Sequence, residues 1–490
     1  MTNTDHDSRS IRNLQANAEQ GNILSRYQLY QGLLSGKLGT EANPGRASQQ
    51  FEKLQTEAQQ SRFQIESLSL HSFRRYQSVN IEFDKSLTVI VGENGAGKTS
   101  IVESVARLLS WFASRFIKVN NSGSHITDSD IHVSATDYAQ VAGNFRLNSH
   151  THFDLSLVLP VAGWNGNAAS ELQAATLLGR LYRLLAESSS QQELPVFAYY
   201  PVERNALAAP SAVTESRLKN QLSQRFNAYK DVFREQAKSG HFIEQYLVLN
   251  NLAATGNLLH RQQLQRLNQA IENAIPHLSN LHVDRSSGGA EIKLDNFDNR
   301  INFAQLSQGQ KTLATMVGDL ALRMISLNPH MDDPLQASGI ALIDEIDLHL
   351  HPGLQQQIIP RLQNTFQNLQ WIITTHSPHV LSTVDRKCIR IIEFANGQAT
   401  TTEPDHQTKG VISSSVLEQI MGTHAIPDVQ ESQWVTQYES LIQARQWDTS
   451  DAVSLREELL QHFGANHPVM EDLEGQIRLA QLKQKYADRK

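Results

Sequence analysis

Leu87-Thr88-Val89-Ile90-Val91-Gly92-Glu93-Asn94-Gly95-Ala96-Gly97-Lys98-Thr99 is an unbroken apolar run that passes directly into a glycine-rich loop. Five consecutive apolar or β-branched residues have the character of a strand buried on both faces. The eight residues after it satisfy G-x-x-x-x-G-K-[ST] at every fixed position. Glycines let successive backbone N–H groups turn toward phosphate oxygens. A helix over Thr99–Phe116 adds the positive end of its dipole at the same point. The residues assigned to nucleotide binding are therefore Gly92, Glu93, Asn94, Gly95, Ala96, Gly97, Lys98, Thr99 and Ser100. Lys98 is assigned to the β- and γ-phosphates of ATP, and Thr99 to Mg²⁺. An empty glycine turn is the alternative, but chance matches rarely fall between a buried strand and a helix.

Three further segments extend this reading. Ile340-Ala341-Leu342-Ile343-Asp344-Glu345 is an apolar strand ending in two acids. Burying it places both carboxylates at the C-terminal edge of a sheet, where ligands of α/β folds bind. Asp344 is expected to serve Mg²⁺ and Glu345 to polarise the attacking water, since phosphoryl transfer needs positioning and charge neutralisation above all. Leu306-Ser307-Gln308-Gly309-Gln310 precedes a helical stretch to residue 328. Ser307, Gly309 and Gln310 are assigned to nucleotide contact at that helix's start. Trp371–Thr374 is another buried strand, followed by Thr375-His376-Ser377-Pro378. A lone histidine there is usually structural, but His376 is placed like the switch histidine of ABC proteins, a resemblance that implies a catalytic role. Gln140 is a candidate Mg²⁺ contact, with an ordinary strand glutamine as the alternative.

These motifs, in this order, resemble ABC-type ATPases and imply an α/β ATPase head with two lobes. In that family the L-S-x-G-Q loop faces the P-loop of a second subunit, so the active site is composite. Ile346 to Pro352 takes the place of the dimer-contacting D-loop, with Asp347 its chosen residue. His349 and His351 suggest a metal, which is rejected because residues at i and i+2 do not share a helix face. Phe73-Arg74-Arg75-Tyr76 stands where the family contacts adenine; an exposed arginine pair is the other reading.

The interval of 246 positions between Lys98 and Asp344 is too long for a transporter ATPase. It is similar to the overcoming-lysogenization-defect, RecF and SMC branch, in which an insertion splits the lobes. Ser72-Phe73-Arg74, Asn94 and the run Asp344–Pro352 also resemble that branch. Lys409–Leu417 and Met421-Gly422 are similar to the PtuA ATPases of the Septu and retron antiphage systems. This resemblance implies a homodimer or larger assembly with an HNH nuclease of PtuB type. For a retron it also implies a reverse transcriptase and its RNA–DNA product. Gln308 departs from the usual Gly or Asp, which leaves Ser307 and the backbone amide intact.

Composition bounds the alternatives. The chain has 490 residues, 40% hydrophobic and 19% charged, with a formal net charge of −7. Residues 401–490 hold 14 Asp/Glu against 8 Lys/Arg, a poor composition for binding phosphate backbones. A RecF- or SMC-like DNA-repair ATPase is therefore the second reading. A nuclease of ATPase–TOPRIM type is disfavoured because no Asp-x-Asp follows His376. There is one cysteine, Cys388, no signal-peptide pattern at Met1 and no bilayer-length apolar run, so a cytoplasmic location is expected.

The pass along the chain gives five regions. Residues 1–60 read as a tetratricopeptide-like helical hairpin, which must pack on a neighbour to bury its face. Residues 61–205 form the first ATPase lobe, with strands at Tyr138–Leu147, Phe153–Leu159 and Val196–Tyr200. Residues 206–300 form a mostly helical insertion closing on a hairpin around Ser286–Gly289. Residues 301–400 form the second lobe. Residues 401–490 are expected to be an acidic helical region, with helix the rule after Phe394.

Overall fold

The computed structural model describes residues 3–37, 41–202, 225–233, 239–286, 289–395, 398–423 and 426–487. The chain divides into two units, Met1–Val416 and Leu417–Lys490. The main sheet of the first unit has six strands: β3 (Leu87–Gly92), β6 (Val196–Tyr200), β10 (Gly339–Ile343), β11 (Leu369–Thr374), β12 (Ile389–Ala395) and β13 (Gln398–Thr402). Their spatial order is β13-β12-β3-β11-β10-β6. All neighbours are parallel except the antiparallel β12–β13 pair. Every residue of β6, β10 and β11 is buried, which is why these strands read as continuous apolar runs instead of alternating ones.

A second sheet is antiparallel. It contains β1 (Gln64–Phe73), β2 (Tyr76–Glu82), β4 (Tyr138–Asn148) and β5 (Thr151–Pro160) in the order β2-β1-β4-β5. β4 alternates buried and partly exposed positions along its whole length, as a sheet with one covered face requires. Helix α4 (Lys98–Ile117) contacts both sheets. Its buried Val105, Leu108, Leu109, Phe112 and Phe116 recur at helical spacing. Phe63, 1% exposed, joins the layers: its ring packs 5.0 Å from Phe112, 5.8 Å from Phe145 and 5.1 Å from Phe197.

Three helices open the chain: α1 (Asn3–Glu19), α2 (Ile23–Ser35) and α3 (Pro44–Gln60). Gly36 ends α2 in the left-handed conformation expected of a helix C-cap. Arg26 on α2 is buried and ties all three together. It pairs with Glu57 at 2.7 Å, donates to Gln50 at 2.8 Å and reaches the Ala18 carbonyl. The group docks on the β4–β5 turn. Asn22 donates to the His150 carbonyl at 2.8 Å, and the Ile23 N–H donates to Thr151 at 2.9 Å.

After α5 (Gln173–Ser188), the insertion contains α6 (Ser239–Ala254) and α7 (Leu258–Ala274). It also contains a three-stranded sheet of β7 (Leu278–Asp284), β8 (Glu291–Asn296) and β9 (Asn299–Asn302). Parts of the stretch expected to be helical, residues 213–224 and 234–238, lie outside the described residues, as do 287–288 of the expected turn. The second lobe continues with α8 (Gln308–Leu327), α9 (Pro352–Thr365), the short α10 (Pro378–Leu381) and α11 (Ser413–Met421). In the second unit α12 (Gln430–Gln443), α13 (Ser450–Phe463) and α14 (Pro468–Ala487) bury Tyr438, Ile442, Ala452, Leu459, Met470 and Leu473.

The expectation of helix throughout after Phe394 is corrected by β13. Gln398-Ala399-Thr400-Thr401-Thr402 pairs antiparallel with β12, from Ala395↔Gln398 to Ile391↔Thr402. Three consecutive β-branched threonines favour that extended edge strand, and the first helical residue comes only at Ser413.

Phe63→Ala should lower the unfolding free energy by about 3–5 kcal/mol, the usual range for emptying a packed aromatic site. Chemical denaturation followed by circular dichroism checks this.

Candidate nucleotide-binding site

The loop Gly92–Thr99 leaves the end of β3 and enters α4 through Gly97. Gly95 and Gly97 have φ of +78° and +91°, in the left-handed region. A β-carbon at Gly97 would also collide with the Tyr76 hydroxyl, which donates to the Ala96 carbonyl at 2.7 Å. Arg75 donates to the Gly95 carbonyl, and its guanidinium lies 4.2 Å over the Phe394 ring. The Lys98 ammonium, 6% exposed, is held by the carbonyls of Gly92 at 2.9 Å and Glu93 at 3.0 Å. Burial pushes its pKa down, opposed by the negative charges of Glu345, Asp344 and Asp347.

Those three acids follow β10. β11 lies between β3 and β10, so its end stands between the P-loop and the acids. Thr374, fully buried, donates to an Asp344 carboxylate oxygen at 2.5 Å and accepts the Glu345 N–H at 2.7 Å. The Asp344 N–H is taken by the Tyr200 carbonyl at 2.9 Å. Glu345 has φ +49°, a left-handed conformation unusual for a side chain of this length. Non-glycine residues in this region are held by their surroundings, and they cluster at functional sites.

Asp347 reaches the next loop. Its carboxylate accepts the Thr375 hydroxyl at 2.5 Å and the His376 N–H at 3.3 Å. Burial and then the Lys98 charge push the His376 pKa down, against the pull of Asp347, Glu345 and Asp344. Both effects favour the neutral imidazole over the imidazolium. Gln355 on α9 fastens the two loops together: it accepts from Ser377 at 2.7 Å and donates to the Leu350 carbonyl at 2.9 Å. Lys98, Asp344, Glu345, Asp347 and His376 thus meet, although they are spread over 279 positions of sequence.

Ser307 caps α8. It forms a capping box with Gln310, whose N–H donates to the Ser307 hydroxyl oxygen at 3.3 Å. Ser307 and Gln308 are exposed, while Gly309 is buried. The glycine is required by close approach: a β-carbon would collide with the His349 carbonyl oxygen. The start of α8 therefore rests on the turn 345–351 of the same chain. That turn also corrects the reason given against a histidine-bound metal. His349 has φ +63° and His351 is the N-cap of α9, so neither lies within a helix.

Gln140 stands on β4 between His71 and Val158, and neither neighbour belongs to the cluster around Lys98. Arg74 is not freely exposed: it pairs with Glu103 at 2.5 Å and Asp130 at 2.9 Å, bracing the β1–β2 turn against α4. Sequence reading named Tyr76 only within the Phe73–Tyr76 run, not as the residue that holds the Ala96 carbonyl, and it passed over the roles of Thr374 and Gln355. Thr374 ends the strand Trp371–Thr374, but only sheet order reveals its partner. Gln355 carries no local signal.

Among the described residues, no group of three or more His, Cys, Asp or Glu is arranged to hold a metal. Mg²⁺ is usually held by one or two carboxylates together with substrate phosphates and water. The hard oxygen donors of Thr99 and Asp344 fit that chemistry.

A phosphate loop whose lysine faces a strand-end acid pair, with a capped L-S-x-G-Q helix behind, defines the class: a P-loop ATPase of ABC type. The chain belongs to the RecF/RecN/SMC N-terminal domain family, whose model matches residues 64–400, from β1 into β13. It is 27% identical to the retron Ec83 probable ATPase of Escherichia coli, across 95% of this chain and 96% of that protein. It is 26% identical to the retron Vc95 probable ATPase of Vibrio cholerae serotype O1 biovar El Tor, across 91% and 96%. The Septu protein PtuA of Bacillus mycoides is 23% identical, across 75% of this chain and 46% of its own. Among solved structures, the SMC head domain from Thermotoga maritima covers 70% of this chain and 100% of its own, at 15% identity and a TM-score of 0.36. No helix among the described residues is long and apolar enough to cross a membrane.

Thr374→Val keeps the side-chain shape but removes both hydrogen bonds of a buried hydroxyl. It should destabilise the fold by about 1–3 kcal/mol, the penalty for unsatisfied buried groups. It should also slow ATP turnover more than it weakens ATP binding. Denaturation and parallel measurements of turnover and nucleotide affinity check both parts.

Proposed function

We propose that this chain binds ATP at Gly92–Ser100 and hydrolyses it between two copies of its head. In this reading the ATP cycle controls a partner nuclease of HNH type in retron or Septu antiphage defence. The observation that carries the composite site is the exposure of Ser307 and Gln308 at the start of α8, while Lys98, Asp344, Glu345 and His376 gather at the sheet edge. Each copy would then offer a P-loop with its acids on one side, and a signature with a free surface on the other.

In this mechanism the loop N–H groups and Lys98 hold the β- and γ-phosphates. Thr99 and Asp344 would hold Mg²⁺, which would supply charge neutralisation. Glu345 polarises a water whose oxygen attacks the γ-phosphorus as the bond to the bridging oxygen breaks, giving ADP and phosphate. His376 donates one ring N–H to a γ-phosphate oxygen, and the Asp347 carboxylate fixes its backbone. Ser307, Gly309 and Gln310 of the second copy close the γ-phosphate from the other side.

The retron and Septu names belong to the relatives, and they support the defence assignment here. An HNH nuclease is the partner implied by the likeness to PtuA. Helices α1–α3 and the unit from Leu417 onward are the segments assigned to docking it. For a retron-linked assembly, the reverse transcriptase and its RNA–DNA product are additional partners.

Four measurements test this reading. Glu345→Gln should retain ATP binding and lose turnover by about 10²–10⁴, the scale of a positioned general base. Ser307→Arg and Lys98→Ala should each be inactive alone and regain turnover when mixed, because a heterodimer contains one intact composite site. Absence of rescue at every mixing ratio rejects the two-copy site. The purified chain should also leave DNA and RNA uncut with Mg²⁺ and ATP, and should co-purify with the nuclease encoded beside it. Cleavage by this chain alone, abolished by Lys98→Ala, overturns the partner assignment.

A further inference from the structure

The β8–β9 turn holds an aromatic residue that folding does not explain. Phe297 is 63% exposed and has φ +53°, a region in which glycine or asparagine is the unstrained choice. His277, exposed and itself left-handed at φ +66°, stacks on it. The ring centroids are 4.2 Å apart with the planes 16° from parallel, and the Phe297 N–H donates to the His277 carbonyl at 3.0 Å. The preceding residue, Asn296, accepts from the Gln310 side chain at 3.4 Å. The aromatic pair therefore adjoins the capped start of α8, where Ser307 and Gln308 are exposed.

We propose that the Phe297–His277 pair is a contact surface for a second copy of this chain, receiving the edge that bears its P-loop when ATP draws two heads together. This rests on the two-copy reading above. Continuity identifies the occupant. If a second copy's P-loop comes to Ser307, the surface flanking Ser307 is carried against the surface flanking that P-loop. Charge complementarity points the same way. Beside the P-loop stands the exposed Arg75, whose guanidinium already lies against the Phe394 ring. A stacked aromatic pair, electron-rich on its faces, is complementary to such a planar cation. An exposed aromatic at a strained turn also matches the way interfaces use rigid aromatic anchors.

The test uses the full chain in the Glu345→Gln background, with ATP and Mg²⁺, and dimerisation followed by analytical ultracentrifugation. The parent should dimerise on ATP addition. Adding Phe297→Gly should weaken that dimerisation about tenfold or more, the scale for truncating an interface aromatic. ATP affinity of the monomer, measured at protein concentrations too low for dimerisation, should be unchanged, and the thermal midpoint unchanged or raised, because glycine is relaxed at this φ. Phe297→Trp should restore association. Equal dimerisation of Phe297→Gly and the parent overturns the proposal and leaves the two-copy site standing. A lowered thermal midpoint in Phe297→Gly assigns the ring to folding and also overturns it. Failure of the Glu345→Gln parent to dimerise with ATP removes the two-copy reading itself, and this proposal with it.

Discussion

The Thr374 hydroxyl donates to Asp344 and accepts the N–H of Glu345, and it does both because β11 runs parallel between β3 and β10. The register is fixed on each side, with Thr374 opposite Ile90 and Ile373 opposite Ile343. One buried hydroxyl thus sets the Asp344 carboxylate and the backbone of Glu345 together. Asp344, Glu345 and Asp347 bring three negative charges near one ammonium, that of Lys98. A polyphosphate entering this edge meets net negative charge at short range, where low dielectric strengthens repulsion. Loop N–H groups and a divalent cation are the natural remedy. The electrostatics of the edge and the chemistry of the P-loop are therefore one problem with one solution.

The L-S-x-G-Q segment is a structural device in its own right. Ser and Gln form the reciprocal hydrogen bonds of a capping box, which satisfy N–H groups left orphaned at a helix start. The glycine admits the His349 carbonyl. Through His349 the start of α8 rests on the turn whose Asp347 holds His376, and Gln355 fastens that turn to Ser377. The start of α8, the turn 345–351 and the histidine loop thus form one continuous set of contacts within the chain.

The elements outside the ATPase core are anchored by different forces. Helices α1–α3 bury Ala18, Leu29, Leu33 and Ala47 in a small cluster of their own, with Ile23, Tyr27, Leu54 and Ala58 buried outside it. Arg26 supplies what the small core lacks. Its charge is buried but compensated by Glu57, Gln50 and the Ala18 carbonyl, the condition under which a buried guanidinium is tolerated. The unit from Leu417 onward instead has a compact apolar core around Tyr438 and Leu459, joined by the partly buried Trp434 and Trp447.

Local pattern by itself determined the P-loop, the acid pair, the signature, the histidine and the strands bearing them, because each is a short run with its own hydrophobic period or turn chemistry. The same logic located β4, β5 and β6, whose burial is visible as alternation or as an apolar run. It failed at β13, where three threonines form a strand only by pairing with β12. It also missed Thr374 as the partner of Asp344, and Gln355 as the link between two loops. Those roles depend on β11 entering between β3 and β10, strands separated in sequence by the whole stretch from Gly92 to Gly339. No residue-level preference encodes that neighbour. The choice of neighbour is made by long-range burial of strands that are apolar on both faces, so only the tertiary structure decides which side chains share the edge where ATP would bind.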